Sequence, residues 1–444
     1  MLRSGLFACI GLVAVAGPIE VEAQTREQKV RADRDKVVAE GFWIYNDFEK
    51  GLAKARETGK PLLVVLRCIP CEECVKLDEE LMEQDPHLKP LLDKFIRVRL
   101  VAMNGLDLSL FQYDYDQSFA VFLLNAEKTI YGRFGTRSHQ TLWSLDVSIE
   151  GLAKAMSGAL QMHAEFPKNK SALAAKQGSK PVYATPEKFP TLAEKYGSKL
   201  NYKGNVVRSC IHCHQIGDAQ RQLYREQKKP IPETILFQYP HPKILGLILD
   251  PTEKATVQQV IENSPADSAG FRSGDEILTL EGQPLLSVAD IQWVLHNAGK
   301  KTSLNAEVRR GDKKVDLKVS LAEGWRRRDD LSWRVTSWPL RRMVTGVLVL
   351  AELTAEQRAD SDLSDKDTMA LLVKHVGQYG PHAAAKKSGF RKGDIIVSYD
   401  GRTNLKRETD VIVYAITARK PGDRVPVIVL RGKRRLTLML PMQQ

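Results

Sequence analysis

A thirteen-residue repeat constrains this 444-residue chain more than any other feature. Gly270 to Gly282 reads GFRSGDEILTLEG, and Gly389 to Gly401 reads GFRKGDIIVSYDG, aligned without a gap at an offset of 119. Two copies of one unit predict two similar domains in the C-terminal half rather than one large core. The shared glycines have backbone roles. Gly274 and Gly393 turn the chain into a strand, and Gly282 and Gly401 turn the hairpin that follows.

Preceded by NSPADSA and YGPHAAAKKS, the two copies resemble PDZ domains of the bacterial, protease-associated type, over 244–322 and 343–442. The resemblance implies binding of protein or peptide C-termini as an added strand, with the carboxylate held by backbone amides of an apolar-glycine-apolar loop. Leu245-Gly246-Leu247 fits that loop in the first copy and Thr345-Gly346-Val347 in the second. Between loop and repeat the second copy is longer and carries the acidic insert ELTAEQRADSDLSDKDT. Residues 323–342 join the copies and place Trp325, Trp333 and Trp338 among arginines, a pattern expected to pack between the two domains. PDZ tandems raise the question of a serine protease. No G-N-S-G-G or G-x-S-x-G surrounds a serine, and no trypsin-like domain fits before Leu245, which excludes that reading.

The chain opens MLRSGLFACIGLVAVAGPIEVEAQ, with Arg3 before an apolar run and a small-x-small site ending at Ala23. That is the pattern of a signal peptide over 1–23. Its apolar core is too short to span a bilayer, and no other stretch is long enough, so a periplasmic or exported chain with no transmembrane segment is expected. The net charge of +12 is dispersed and no aromatic-and-basic nucleic-acid motif appears, so no nucleic-acid partner is expected. Of six cysteines, Cys9 lies in the signal, Cys68, Cys71 and Cys74 form one cluster, and Cys210 and Cys213 another. Compact clusters in an oxidising compartment point to redox or metal chemistry.

Asp47 to Thr58 reads as a helix ended by Gly59. Strand-like runs follow at Leu62–Leu66, Phe95–Val101, Phe119–Leu124 and Thr129–Phe134, the last two joined by a tight turn, and Ser148–His163 reads as a closing amphipathic helix. With a C-x-x-C at a strand-to-helix turn, this order resembles the thioredoxin fold over 42–166. The resemblance makes Cys71 and Cys74 the dithiol, with the first thiol at a helix N-terminus that stabilises thiolate. Pro70 stands where thioredoxins carry tryptophan, Ser118 stands at the cis-proline position, and Glu72 and Glu73 should raise the thiol pKa values. Cys68 adds a third sulfur. Dithiol redox chemistry, a passive 71–74 disulfide over a buried Cys68, and a three-thiolate soft-metal site for Cu(I) all remain open.

Residues 167–205 are rich in Lys, Ser, Gly and Pro and read as a linker that drapes over a neighbour. Residues 206–243 contain SCIHCHQ. In C-x-x-C-H, Cys210 and Cys213 are spaced to bond the two vinyl groups of a c-type haem, with His214 as the metal ligand to iron. Zinc through Cys210, Cys213, His212 and His214 would ask four ligands within five residues to surround one ion. A disulfide is the third reading. For the distal haem position the segment offers His241, with Met162, His163 and Met343 further off in sequence.

The expected architecture is multidomain, α/β plus mainly-β: a thioredoxin-like domain, a short haem-like segment and two PDZ-like domains. The whole order resembles an exported bacterial family, the thioredoxin-like/PDZ (seleno)proteins of planctomycetes. That name implies selenocysteine in the thiol motif of some members and favours redox use. The expected function is an exported thiol/haem redox protein whose PDZ domains recruit a partner. A non-catalytic PDZ adaptor and a copper-handling protein are the alternatives.

Overall fold

The computed structural model describes residues 25–67, 88–117, 119–136, 147–363, 365 and 368–444. The signal segment, Cys68, Cys71, Cys74 and Ser118 lie outside the described residues.

The first domain comprises α1 (Arg26–Glu40), β1 (Ile44–Tyr45), α2 (Phe48–Thr58), β2 (Leu62–Arg67), β3 (Ile96–Leu100), β4 (Phe119–Leu124), β5 (Ile130–Thr136) and α3 (Ile149–Ala164). Asp47 caps α2 by accepting the Lys50 amide, and Gly59 ends it in the left-handed conformation. The sheet runs β1-β3-β2-β4-β5, with β1, β3 and β2 parallel and β4 and β5 antiparallel. Strand β2 is central and buried throughout, which is why Leu62–Leu66 is a continuous apolar run. Its side chains still alternate. Leu62, Val64 and Leu66 join one apolar layer with Leu52 of α2, whereas Leu63 and Val65 join the opposite layer with Leu152 and Met156 of α3.

The stretch expected as a linker is folded onto both layers. Leu173 enters the layer beneath α3, and Phe189 and Leu192 enter the layer beneath α2. Helix α4 (Cys213–Glu226) lies on that same layer through Ile216 and Ala219. Single apolar anchors separated by polar residues leave no periodicity for a sequence reading to detect.

The first repeat copy folds as β6 (Leu247–Leu249), β7 (Val257–Val260), β8 (Glu276–Leu280), β9 (Gln283–Pro284), α5 (Val288–Asn297), β10 (Thr302–Arg310) and β11 (Lys313–Leu321). The second comprises α6 (Ser337–Thr345), β12 (Leu348–Glu352), β13 (Leu371–Val376), β14 (Ile395–Tyr399), α7 (Glu408–Ala418), β15 (Arg424–Arg431) and β16 (Arg434–Pro441). The aspartate after the second shared glycine of the repeat does the same work in both copies. Asp275 takes a two-pronged ion pair from Arg310 and Asp394 takes one from Arg431.

The first copy docks on β5. Ser287 Oγ donates to the Arg133 carbonyl, and the Arg133 amide donates to Asp290 Oδ1. Lys176 Nζ lies 2.9 Å from Asp290 Oδ1 with both side chains buried, and the Arg133 guanidinium stacks 3.9 Å over Trp293. Burial chiefly, opposed by Asp290, lowers the Arg133 pKa to about 10. This contact covers the exposed edge of the thioredoxin-like sheet. The tryptophan–arginine segment reaches further than expected. Trp325 joins the core of the first copy, Leu331 and Leu340 join that of the second, and Arg334 turns to the thioredoxin-like domain.

One consequence is a pH dependence. His296 stacks on Tyr239 at 4.1 Å and accepts the Tyr239 amide at Nδ1. Burial first, then Arg326, Arg334 and Arg133, push its pKa down to about 3. The folded chain therefore holds a neutral imidazole while the unfolded chain protonates near pH 6.5, so stability falls as pH drops below that value. The half-buried ring is screened in part, and we expect a loss of about 1–3 kcal/mol between pH 7 and pH 4. Urea midpoints measured across that range should flatten in His296→Gln.

Candidate functional site

The C-x-x-C-H segment is seated by backbone pairing. The Met103 amide donates to the Ile211 carbonyl at 3.0 Å, and Asn104 accepts the Ile211 amide and donates to the Ser209 carbonyl. Met103 and Asn104 follow β3, so Ile211 sits at the C-terminal end of the parallel strands β2 and β3. Helix α4 begins at Cys213, with His212 at its N-cap. Both thiols are buried, Cys210 at 4% and Cys213 at 7% exposure. The Tyr113 hydroxyl donates to Cys213 Sγ at 3.3 Å, and Tyr113 packs edge-on against Tyr115. The sulfur therefore sits in the first turn of α4 with a hydroxyl against it, inside an apolar layer.

The two imidazoles stack, with ring centroids 5.5 Å apart. Burial chiefly, with His214 and Arg26 adding, lowers His212 to about 4. Burial also lowers His214, against the pull of Asp116. Both are neutral at pH 7 and hold a lone pair. Among the described residues no three His, Cys, Asp or Glu side chains converge as a metal site would need.

Beside His214 lies a buried charge cluster that the sequence reading missed. Arg334 Nη1 donates to Asp114 Oδ1 at 2.7 Å and to Asp116 Oδ2 at 3.3 Å, and Nη2 donates to the Gln238 carbonyl. Asp116 also accepts the amide and hydroxyl of Thr336. Arg221 of α4 lies 4.0 Å from Asp116 and 3.5 Å from Asp218. Burial raises Asp218 to about 6, with Arg221 opposing and Asp116 adding. The only trace in the sequence is YDYD at 113–116, since the partner arginine is more than two hundred residues away.

The distal haem candidates are dispersed. His163 is engaged at both nitrogens, by the Tyr131 hydroxyl and the Gly59 carbonyl. Met162, its neighbour in α3, packs on the layer beneath that helix, across the sheet from Cys213. Met343 sits in the core of the second repeat copy. His241 caps the turn before Leu245, accepting the Lys243 amide. A cavity of about 540 Å³ opens along later turns of α4, between Leu108, Tyr115, Phe189, Leu223, Tyr239 and His296. Neither cysteine nor His214 lines it.

The peptide loops differ between copies. Gly246 (φ 88°) turns the chain into β6. The Ile261 amide donates to the Gly246 carbonyl and the Asp250 amide to Thr256, so the intervening register leaves the Leu247 and Leu249 amides facing the open edge of β6. In the second copy Gly377 donates to the Val347 carbonyl, and Val347 itself is left-handed at φ 64°. Val347 thus occupies the position of Gly246, and the loop is Gly346-Val347-Leu348, one residue beyond Thr345-Gly346-Val347. A reading keyed on glycine was displaced because Gly346 ends helix α6 instead. A β-branched residue there holds strain of about 1–3 kcal/mol.

A thioredoxin-like family model matches residues 43–126, and a PDZ family model matches residues 235–321 and 361–442. The chain carries a thioredoxin-like domain and two PDZ domains. It is similar to a probable periplasmic serine endoprotease DegP-like of Pseudomonas savastanoi pv. phaseolicola, 32% identical over 192 residues, covering 42% of this chain and 37% of the relative. It is also similar to a putative serine protease HhoA of Synechocystis, 32% identical over 76 residues, covering 17% and 19%. The chain spans about a third of the length of the curated relatives it matches. Among solved structures, the HtrA3 PDZ domain bound to a phage-derived ligand (FGRWV) is 31% identical, covers 15% of this chain and 60% of that one, and has a TM-score of 0.14. No helix among the described residues is long and apolar enough to cross a membrane.

Proposed function

We propose that the chain is an exported thiol-redox module which its first PDZ domain, PDZ1, brings to protein partners. The observation that carries this reading is the seating of Cys213: first turn of α4, sulfur against the Tyr113 hydroxyl, at the C-terminal end of the parallel strands. Oxidation of the Cys210–Cys213 pair would proceed through attack of one thiolate on a partner disulfide. A mixed disulfide forms and one partner thiolate leaves. The second cysteine then displaces the other partner sulfur, so two electrons pass from the dithiol to the partner. Cys71 and Cys74 are the further dithiol of this reading. Export is supported by the signal pattern and by relatives described as periplasmic. The protease relatives are read as sharing PDZ architecture rather than catalysis, since the sequence has no catalytic-serine motif. The test is a glutathione redox titration of a variant keeping only Cys210 and Cys213. A reversible two-electron transition supports the reading, and a pair that never oxidises refutes it.

A second reading is favoured by the neutral His214 directly after the thiols. The donor set fits a c-type haem in kind: Cys210 and Cys213 would hold it and His214 would ligate its iron. When bound, haem would supply one-electron chemistry. Buried Cys213 would first have to leave the apolar layer it occupies.

For PDZ1, the outward amides of Leu247 and Leu249 and the left-handed Gly246 support capture of a free C-terminus. Peptides ending in an apolar residue should bind at least about tenfold more tightly as free acids than as amides, since a charge-assisted hydrogen bond is lost on amidation. Isothermal titration of both forms decides this. Equal affinities would leave PDZ1 a packing module.

A further inference from the structure

We infer that the groove of the second PDZ domain, PDZ2, is held shut by its own side chains, so that peptide recruitment falls to PDZ1 alone. This rests on the reading that these grooves receive peptides by strand addition. The register makes Leu348 and Leu350 of β12 the counterparts of Leu247 and Leu249, since each set follows the left-handed residue and points away from its paired strand. In PDZ2 both amides are already used. The Leu348 amide donates to Thr345 Oγ1 at 3.3 Å, and the Leu350 amide donates to Glu408 Oε1 at 2.8 Å. The Val347 amide donates back to the Arg341 carbonyl in the last turn of α6.

Glu408 is the first residue of α7, the helix facing β12, so its carboxylate bridges the groove from wall to wall. An incoming strand would have to displace it. The carboxylate is itself fixed by Arg341, with Nε to Oε1 at 3.0 Å and Nη2 to Oε2 at 2.5 Å, both side chains buried. Arg341 is fixed in turn by the Ser337 hydroxyl and the Ser332 carbonyl. Helix α6 also packs on both β12 and α7. In PDZ1 the corresponding positions are Ile244, for Thr345, and Val288, the first residue of α5, for Glu408. Neither side chain can accept a hydrogen bond, so the same backbone geometry stays open in PDZ1.

Native-state hydrogen exchange and titration of the full chain test this. In the wild type the Leu348 and Leu350 amides should exchange at least about a hundredfold more slowly than those of Leu247 and Leu249. A peptide with an apolar, free C-terminus should bind with one equivalent. Glu408→Ala strands a buried arginine and risks misfolding. The pair Arg341→Leu with Glu408→Leu removes the bridge without leaving a charge. In that double variant Leu350 exchange should rise at least about tenfold and a second equivalent should bind. Wild-type Leu350 exchanging as fast as Leu249, or two equivalents bound by wild type, would overturn the closure. A chain that binds no peptide while Leu350 stays protected keeps the closure and removes the peptide reading of PDZ1.

Discussion

Arg334→Met should cost about 3–5 kcal/mol, the range for removing one partner of a buried ion pair. Arg334 is fully buried and neutralises Asp114 and Asp116, which are buried with it. Burial works against its charge, but the neighbouring aspartates outweigh that and raise its pKa. Without it, Asp116 keeps the Thr336 donors but has Arg221, at 4.0 Å, as its nearest cation, and the Gln238 carbonyl loses its donor. The loss falls where the thioredoxin-like domain, α4 and the segment between the PDZ domains meet, so the first step of a urea melt should shift most. Proteolysis should then cut between domains before it cuts within them. A shift below about 1 kcal/mol, the scale of a surface pair, would mean that this junction is open in solution. Asp114→Asn should cost less, because it leaves Arg334 paired with Asp116.

The elements that stand alone were legible. Strand β4 spans Phe119–Leu124, the run read from the sequence, and α3 begins after its Ser148 cap. These elements are specified by local pattern and capping, which a sequence displays. The second PDZ loop lies one residue beyond the apolar-glycine-apolar pattern, because Gly346 and Val347 are both left-handed and Gly346 is used to end helix α6. Residues 167–205 were read as a linker because lone anchors such as Leu173 and Phe189 carry no period. The charge cluster and the bridge at Glu408 were hidden for a different reason. Arg334 meets Asp114 only where separate domains dock, and Glu408 meets Leu350 only once PDZ2 has folded across 58 residues. The C-x-x-C-H motif marks Cys213 in the sequence but not the tyrosine its sulfur faces, which lies a hundred residues earlier.

Replacing both Cys210 and Cys213 by alanine should abolish whatever chemistry the C-x-x-C-H segment performs, and the wild type's colour shows which chemistry that is. Matured in a haem-attaching host, a dithiol protein is colourless. A c-type protein keeps its pigment through acid–acetone extraction and shows c-type bands when reduced. We expect the colourless outcome, because Cys213 is 7% exposed and its sulfur lies against Tyr113 within the apolar layer beneath α2. In the reduced, folded protein such thiols should alkylate at least about a hundredfold more slowly than in urea, since reagent reaches them only through local opening. Tyr113→Phe removes the donor to Cys213 without changing its packing. Loss of that hydrogen bond to the sulfur should slow exchange with a disulfide at pH 7. A rate unchanged by Tyr113→Phe would mean that the Tyr113 hydroxyl does not act on Cys213 in the opened, reacting state. A covalent pigment lost only in the double alanine variant would replace the dithiol with haem. His214→Ala would then change the spectrum, whereas in a dithiol protein it leaves the two-electron stoichiometry intact.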